Sequence, residues 1–150
     1  MPITLLQFLL RLLDRVARIL PDAGTRVADH LATGRRGEEA AYFYLRRNGY
    51  VIVARNYRSR RRRGEIDLVG WDGDALCFIE VKTRTTRDVK PAEAAVDSPK
   101  RRELAAMANE YCQRFRAAMP LLRFDILSIY YEGSRTAADI TLFKNAFPMT

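Results

Sequence analysis

The stretch Gly64–Arg84, GEIDLVGWDGDALCFIEVKTR, decides the fold. Glu65–Trp71 and Ala75–Thr83 are apolar, β-branched and aromatic runs, and Asp72-Gly73-Asp74 between them is turn chemistry, which predicts a β-hairpin. A two-residue Gly73-Asp74 turn sets Asp72 opposite Ala75, and so places Asp67 opposite Glu80 and Glu65 opposite Lys82. Side chains alternate along a strand, so these four share one face. A turn at Asp72-Gly73 slides the register by two and keeps that face, whereas a three-residue loop flips it.

Two carboxylates opposed across strands, with Cβ atoms about 5 Å apart, destabilise a hairpin unless a cation lies between them. A divalent metal answers that need, because Mg²⁺ takes carboxylate and carbonyl oxygens and keeps several waters, and Mn²⁺ suits the same ligands. Asp67, Glu80 and the Val81 carbonyl can supply such a shell, with Lys82 beside a water or a substrate phosphate. That set suits phosphodiester hydrolysis. A Glu-x-Lys pair by itself is more commonly a solvated ion pair on an exposed strand face. It is Asp67, brought opposite by the turn, that favours the metal site.

Gly64-Glu65-Ile66-Asp67-Leu68 followed by Glu80-Val81-Lys82 resembles the Asp…Glu-x-Lys signature of the restriction-endonuclease-like (PD-(D/E)XK) superfamily. Gly34-Arg35-Arg36-Gly37-Glu38-Glu39-Ala40-Ala41, Arg55-Asn56-Tyr57-Arg58, Arg123-Phe124-Asp125 and Asn145-Ala146-Phe147 narrow the resemblance to the YraN-like bacterial proteins within it. The similarity runs from about Gly34 to Phe147 and implies a nuclease-type fold. It also implies a place near the metal for Glu38, which matches the family's helix glutamate. The residues alone allow a plainer reading of Glu38, as a first-turn acid favoured by the helix dipole.

The chain has 150 residues, enough for one domain with a real core, and is 48% hydrophobic. A net charge of +8 favours an anionic partner, nucleic acid first and an acidic membrane surface second. Cys77 and Cys112 lack metal-ligand spacing and read as reduced core residues, which fits a cytoplasmic setting. His30 is the single histidine and lies outside the family-like region, which argues against nucleases with paired or metal-bound histidines and against a Ser-His-Asp triad, and leaves carboxylate–metal chemistry as the main enzymatic option.

Ile3–Leu20 has helical periodicity with a wide apolar face, interrupted by Arg11, Asp14, Arg15 and Arg18. It predicts an amphipathic N-terminal helix, neither a transmembrane span nor a signal peptide, that packs on the domain or a protein partner, or lies on a membrane surface. Pro21–Thr33 reads as a linker, giving an N-terminal segment 1–33 and an endonuclease-like domain 34–150. A helix follows from about Arg35 to Arg47, then a mostly buried strand Tyr50–Tyr57. Arg58, Arg60, Arg61, Arg62 and Arg63 crowd the connection to the hairpin. Such a run is either a solvated loop or, beside a phosphodiester site, a phosphate grip.

Arg84–Asp97 is polar and irregular and reads as a flap. Ser98-Pro99 predicts a capped helix start with Lys100, Arg101 and Arg102 exposed in the first turn, where cations are unfavourable unless an anion lies near; Lys100 is therefore a candidate nucleic-acid contact. Leu104, Met107, Ala108, Tyr111, Cys112, Phe115 and Met119 trace that helix's core stripe. Leu122–Tyr131 and Ala138–Phe143 read as the last strands. The order predicts an α/β, three-layer restriction-endonuclease-like domain with a mixed β-sheet flanked by helices.

The expected function is Mg²⁺- or Mn²⁺-dependent phosphodiester hydrolysis on nucleic acid, DNA ahead of RNA. Asp67 and Glu80 hold the metal with the Val81 carbonyl, Glu38 assists, Lys82 orients the attacking water, and Glu65 supports Lys82 or an arginine. The alternative is a nucleic-acid-binding module that keeps the fold and does not cut. Asp125, an acid in an apolar strand, is assigned no chemistry.

Overall fold

Helix α1 (Arg26–Arg47) leads into strands β1 (Val51–Arg58), β2 (Glu65–Asp72) and β3 (Ala75–Arg84); helix α2 (Ser98–Phe115) then precedes β4 (Leu121–Tyr131) and β5 (Ala138–Phe147). The computed structural model describes residues 26–86, 96–115, 121–133 and 137–148. The Ile3–Leu20 segment, most of the expected flap and Met119 lie outside them. From Thr33 onward the chain is one compact unit. Its strands form a single sheet in the order β1-β2-β3-β4-β5. β3 and β4 are parallel, as a helical connection between them demands, and the other neighbours are antiparallel.

The hairpin register is the expected one. Asp72 pairs with Ala75 and the ladder continues to Leu68–Ile79. Gly73 sits at φ 60° as the first turn residue, the conformation that a type II′ hairpin asks of glycine.

Leu104, Ala105, Met107, Ala108 and Tyr111 recur at helical spacing on α2 and pack with Ile66, Val69, Phe78, Phe124 and Ile126 on one side of the sheet. α1 covers the other side. Gly37 lies so close to Thr83 of β3 that a Cβ would run into its hydroxyl, and the Arg36 guanidinium stacks 4.1 Å over the Tyr131 ring. Thr83 and Phe78 point to opposite faces by strand alternation, so the two helices enclose the sheet and the architecture is the three-layer one.

Several local expectations give way. α1 starts at Arg26, inside the expected linker, because Val27, Ala28, Leu31 and Ala32 continue the helical pattern. Gly34 costs only about 1 kcal/mol in a helix that long. β1 is an edge strand with a bulge between Ile52 and Ala54, so Val51 and Val53 are 54% and 47% exposed rather than buried. Asp97, not Ser98, caps α2: its carboxylate accepts the Lys100 N–H at 2.9 Å. Phe115 is exposed, because the core stripe ends at Tyr111 and the half-buried Cys112. β5 runs on to Phe147 past an irregularity in its pairing with β4.

That irregularity has a cause in Asp125, which is fully buried. Its carboxylate accepts hydrogen bonds from the Tyr50 hydroxyl, the Arg123 guanidinium and the Asn145 N–H, and Asn145 takes φ 52° to present it. Arg123 also reaches Asp72, which is joined by Lys144, so the cluster ties β4 and β5 to the end of the hairpin. Burial lifts the Tyr50 phenol far above its usual range, with the nearby Asp125 charge adding to the effect. Replacing one member of a buried charged set strands its partners. Asp125→Ala is therefore expected to destabilise the fold by about 3–5 kcal/mol, read as a fall in the urea midpoint.

Candidate active site

The β2–β3 ladder stops at Leu68–Ile79, and the reason is the side chain of Asp67. Its Oδ2 accepts the Val81 N–H at 2.7 Å, so a carboxylate takes the place of a backbone partner where the two strands part. Glu80 is 6% exposed on the neighbouring strand. Its Oε1 accepts a 2.7 Å hydrogen bond from the Lys82 ammonium, and its Oε2 is buried with no hydrogen-bond partner among the described residues.

Burial pushes the Asp67 carboxyl up to about 7, with the Glu80 charge next in importance and Glu38 adding to it. The Val81 N–H and the Lys82 charge oppose that rise without cancelling it. The charged form of Asp67 is thus disfavoured, first by burial. A hard cation fits this donor set: two crowded carboxylates, one with an orphaned buried oxygen, would gain by ligating it. The carboxylate share is small, since no group of three or more His, Cys, Asp or Glu among the described residues is placed to hold a metal.

Of the residues singled out in the sequence, Asp67, Glu80 and Lys82 come together. Glu38 approaches Asp67 closely enough to raise its pKa, but its Oε2 is engaged by the Asn56 amide at 3.0 Å. Asn56 stands at φ 47°, one of two non-glycine residues with positive φ among those described, and this conformation within β1 accompanies its reach to α1. Gly37 contributes too, by letting α1 settle onto β3 next to Glu38. Glu65 does not reach Lys82; it pairs with Arg58 at 3.0 Å, its directly opposite neighbour in β1.

Lys100 is not the exposed first-turn cation expected. Its ammonium lies 3.9 Å from Glu80 Oε1, so α2 adds a second lysine to the site. Arg60, Arg61, Arg62 and Arg63 are exposed, and none of their guanidinium groups forms an ion pair among the described residues. Sequence reading missed Asn56, Ser59 and Glu110. Glu110 accepts hydrogen bonds from the Ser59 hydroxyl and the Arg60 N–H, and nothing in an ordinary helix sequence marks a glutamate as the anchor of a distant loop.

Residues 37–129 match the family described as "Uncharacterised protein family UPF0102". A UPF0102 protein of Koribacter versatilis is 50% identical over 141 residues, 94% of this chain and 93% of its own. The chain belongs to UPF0102. This YraN-like family is of restriction-endonuclease-like, nuclease type. UPF0102 proteins of Solibacter usitatus and Porphyromonas gingivalis are 48% and 39% identical, over 67% and 82% of this chain and 76% and 89% of theirs. The UPF0102 match contains every member of the site from Glu38 to Lys100, together with Glu110 and Asp125. The Koribacter UPF0102 relative extends further, so the N-terminal segment also has a counterpart there, beyond the expected Gly34 limit. Among the described residues no helix is long and apolar enough to cross a membrane.

Two measurements test the electrostatics. Asp67 binds its proton more tightly folded than unfolded, where it titrates near 3.8, so its ionisation costs stability as pH rises through about 7. In EDTA, Asp67→Asn should melt with the parent below about pH 4 and several degrees higher above about pH 7. A constant difference across that range removes the crowding described here. In the parent, Mg²⁺ or Mn²⁺ at a hundred times its dissociation constant should add about 2.7 kcal/mol, seen as a raised Tm that Glu80→Gln abolishes.

Proposed function

We propose that this UPF0102 protein is a metal-dependent phosphodiesterase of nuclease type acting on DNA or structured nucleic acid. One observation carries the reading: Asp67 and the buried Glu80, with its orphaned oxygen, crowd together where β2 and β3 part, flanked by Lys82 and Lys100. Asp67, Glu80 and the Val81 carbonyl would hold Mg²⁺ or Mn²⁺. The cation would supply positive charge to the phosphoryl oxygens as negative charge builds there.

The chain's own residues do the rest. Lys82, held by Glu80, donates toward the attacking water and the phosphate, and Lys100 adds positive charge on the same side of Glu80. Glu38, fixed by Asn56, keeps a further negative charge near Asp67 and so sharpens its demand for a cation. The exposed arginines of the 60–63 loop grip the backbone, which positions a strand without reading its bases.

A non-cutting nucleic-acid-binding module is the rival reading, and the observation that favours it is the two-carboxylate share of the site. A cleavage screen over single-stranded, duplex, flap and junction DNA, with and without Mg²⁺ or Mn²⁺, separates the two. On the best substrate, Asp67→Asn should lose cleavage by about 10²-fold or more while metal-free binding holds or tightens. Lys82→Ala should lose cleavage and also bind more weakly. Full activity in Asp67→Asn shows the site to be elsewhere; binding by the parent without cleavage of any substrate favours the module.

A further inference from the structure

Beside a loop of exposed arginines, a glutamate ordinarily pairs with a guanidinium and blunts its charge. The Arg61 and Arg62 charges reach Glu110, but its hydrogen bonds go elsewhere. Its Oε2 accepts the Ser59 hydroxyl at 2.5 Å and its Oε1 accepts the Arg60 N–H at 3.1 Å. The Ser59 oxygen in turn accepts the N–H groups of Arg61 and Arg62, both at 3.0 Å. That hydroxyl gives its one proton and fills its lone pairs, so its hydrogen bonding is complete. Three consecutive arginines are thereby tied through their backbones while the guanidinium groups of Arg60–Arg63 stay free of ion pairs among the described residues.

The loop's other end is fixed against the same helix. Gly64 stands at φ 116° with the Glu103 carboxylate pressed where a Cβ would lie. Glu103 and Glu110 are seven residues apart on α2, about two turns or 10 Å, so the loop is laid along that helix between two carboxylates. The N-terminal turn of the same helix carries Lys100 toward Glu80.

We propose that Glu110 and Ser59 form a clip that presents Arg60–Arg63 as a pre-ordered grip for a nucleic-acid backbone, so that Glu110, although anionic, strengthens binding to a polyanion. The grip rests on the nucleic-acid reading above; the clip does not. Glu110 and Ser59 are positioning residues, and the arginines make the contact. The two accounts of Glu110 differ in sign. If its charge alone matters, removing it tightens binding by reducing repulsion; if it orders the loop, removing it weakens binding although the protein becomes more basic.

The test compares the full chain with Glu110→Ala, with the uncharged change Ser59→Ala, and with Asp74→Asn, which removes an equal charge at the exposed hairpin turn. Matching melting curves establish that each variant is folded. Trypsin then reports the loop directly, by mass spectrometry of cuts after Arg60–Arg63, and a short mixed-sequence duplex in EDTA reports binding. Cutting in the loop should rise about tenfold in Glu110→Ala and Ser59→Ala, the factor matching the loss of one charge-assisted hydrogen bond, and stay unchanged in Asp74→Asn. Duplex binding should weaken several-fold in both clip variants and hold or tighten in Asp74→Asn. Unchanged cutting overturns the clip whatever the DNA result. Faster cutting with tighter binding in Glu110→Ala overturns its role in the grip. A parent that is protected from trypsin but binds neither this duplex nor single-stranded, flap or junction DNA overturns the nucleic-acid reading and reduces the clip to a loop anchor.

Discussion

Where β2 and β3 part, the Asp67 carboxylate accepts the N–H of Val81, and this 2.7 Å bond organises the surrounding site. It ends the antiparallel ladder at Leu68–Ile79 and holds an acid beside Glu80. A carboxylate accepting one N–H is stabilised, yet burial and the Glu80 charge outweigh that bond and lift its proton affinity. The fold therefore holds the Asp67 carboxylate where its charged form is disfavoured. Such tension fits a binding site better than a packing device, because a well-packed apolar pair would cost nothing there.

The other face of the sheet supplies the contrast. Asp125 is more deeply buried than Asp67, but the Tyr50 hydroxyl, the Arg123 guanidinium and the Asn145 N–H surround its oxygens. Asp72 in the same cluster is held down to about 2, first by its hydrogen bonds from Lys144 and Arg123. Asp125 is satisfied by its neighbours, and the buried Glu80 is satisfied at one oxygen alone. The satisfied one ties strands together, whereas at the Asp67–Glu80 pair one buried oxygen, Glu80 Oε2, has no hydrogen-bond partner among the described residues. The two asparagines at positive φ serve different groups: Asn145 donates to Asp125 and Asn56 to Glu38.

Helix α2 unites the features on which the proposed polyanion contact rests. Its buried stripe fixes it against the sheet, its first turn sends Lys100 to Glu80, and Glu103 and Glu110 line the arginine loop. Asp97 offsets the poor placement of cations at that helix end by capping it. A packing element thus also sets where the positive charge stands.

The hairpin, its register and the convergence of Asp67, Glu80 and Lys82 were legible in the sequence, because strand alternation and a two-residue turn are local rules that a few residues satisfy or break. The three-layer class was legible for the same reason, from the order of periodic segments. The helix start at Arg26 and the exposure of β1 were misread, since a linker and an edge strand differ from their alternatives only by what packs on them. Lys100 beside Glu80, Asn56 with Glu38 and Ser59 with Glu110 were decided by tertiary structure alone, as was the choice of Arg58 rather than Lys82 for Glu65. Each joins residues from different elements, and which side chains meet there depends on how helices and strands are packed together, a long-range outcome that no local spacing encodes.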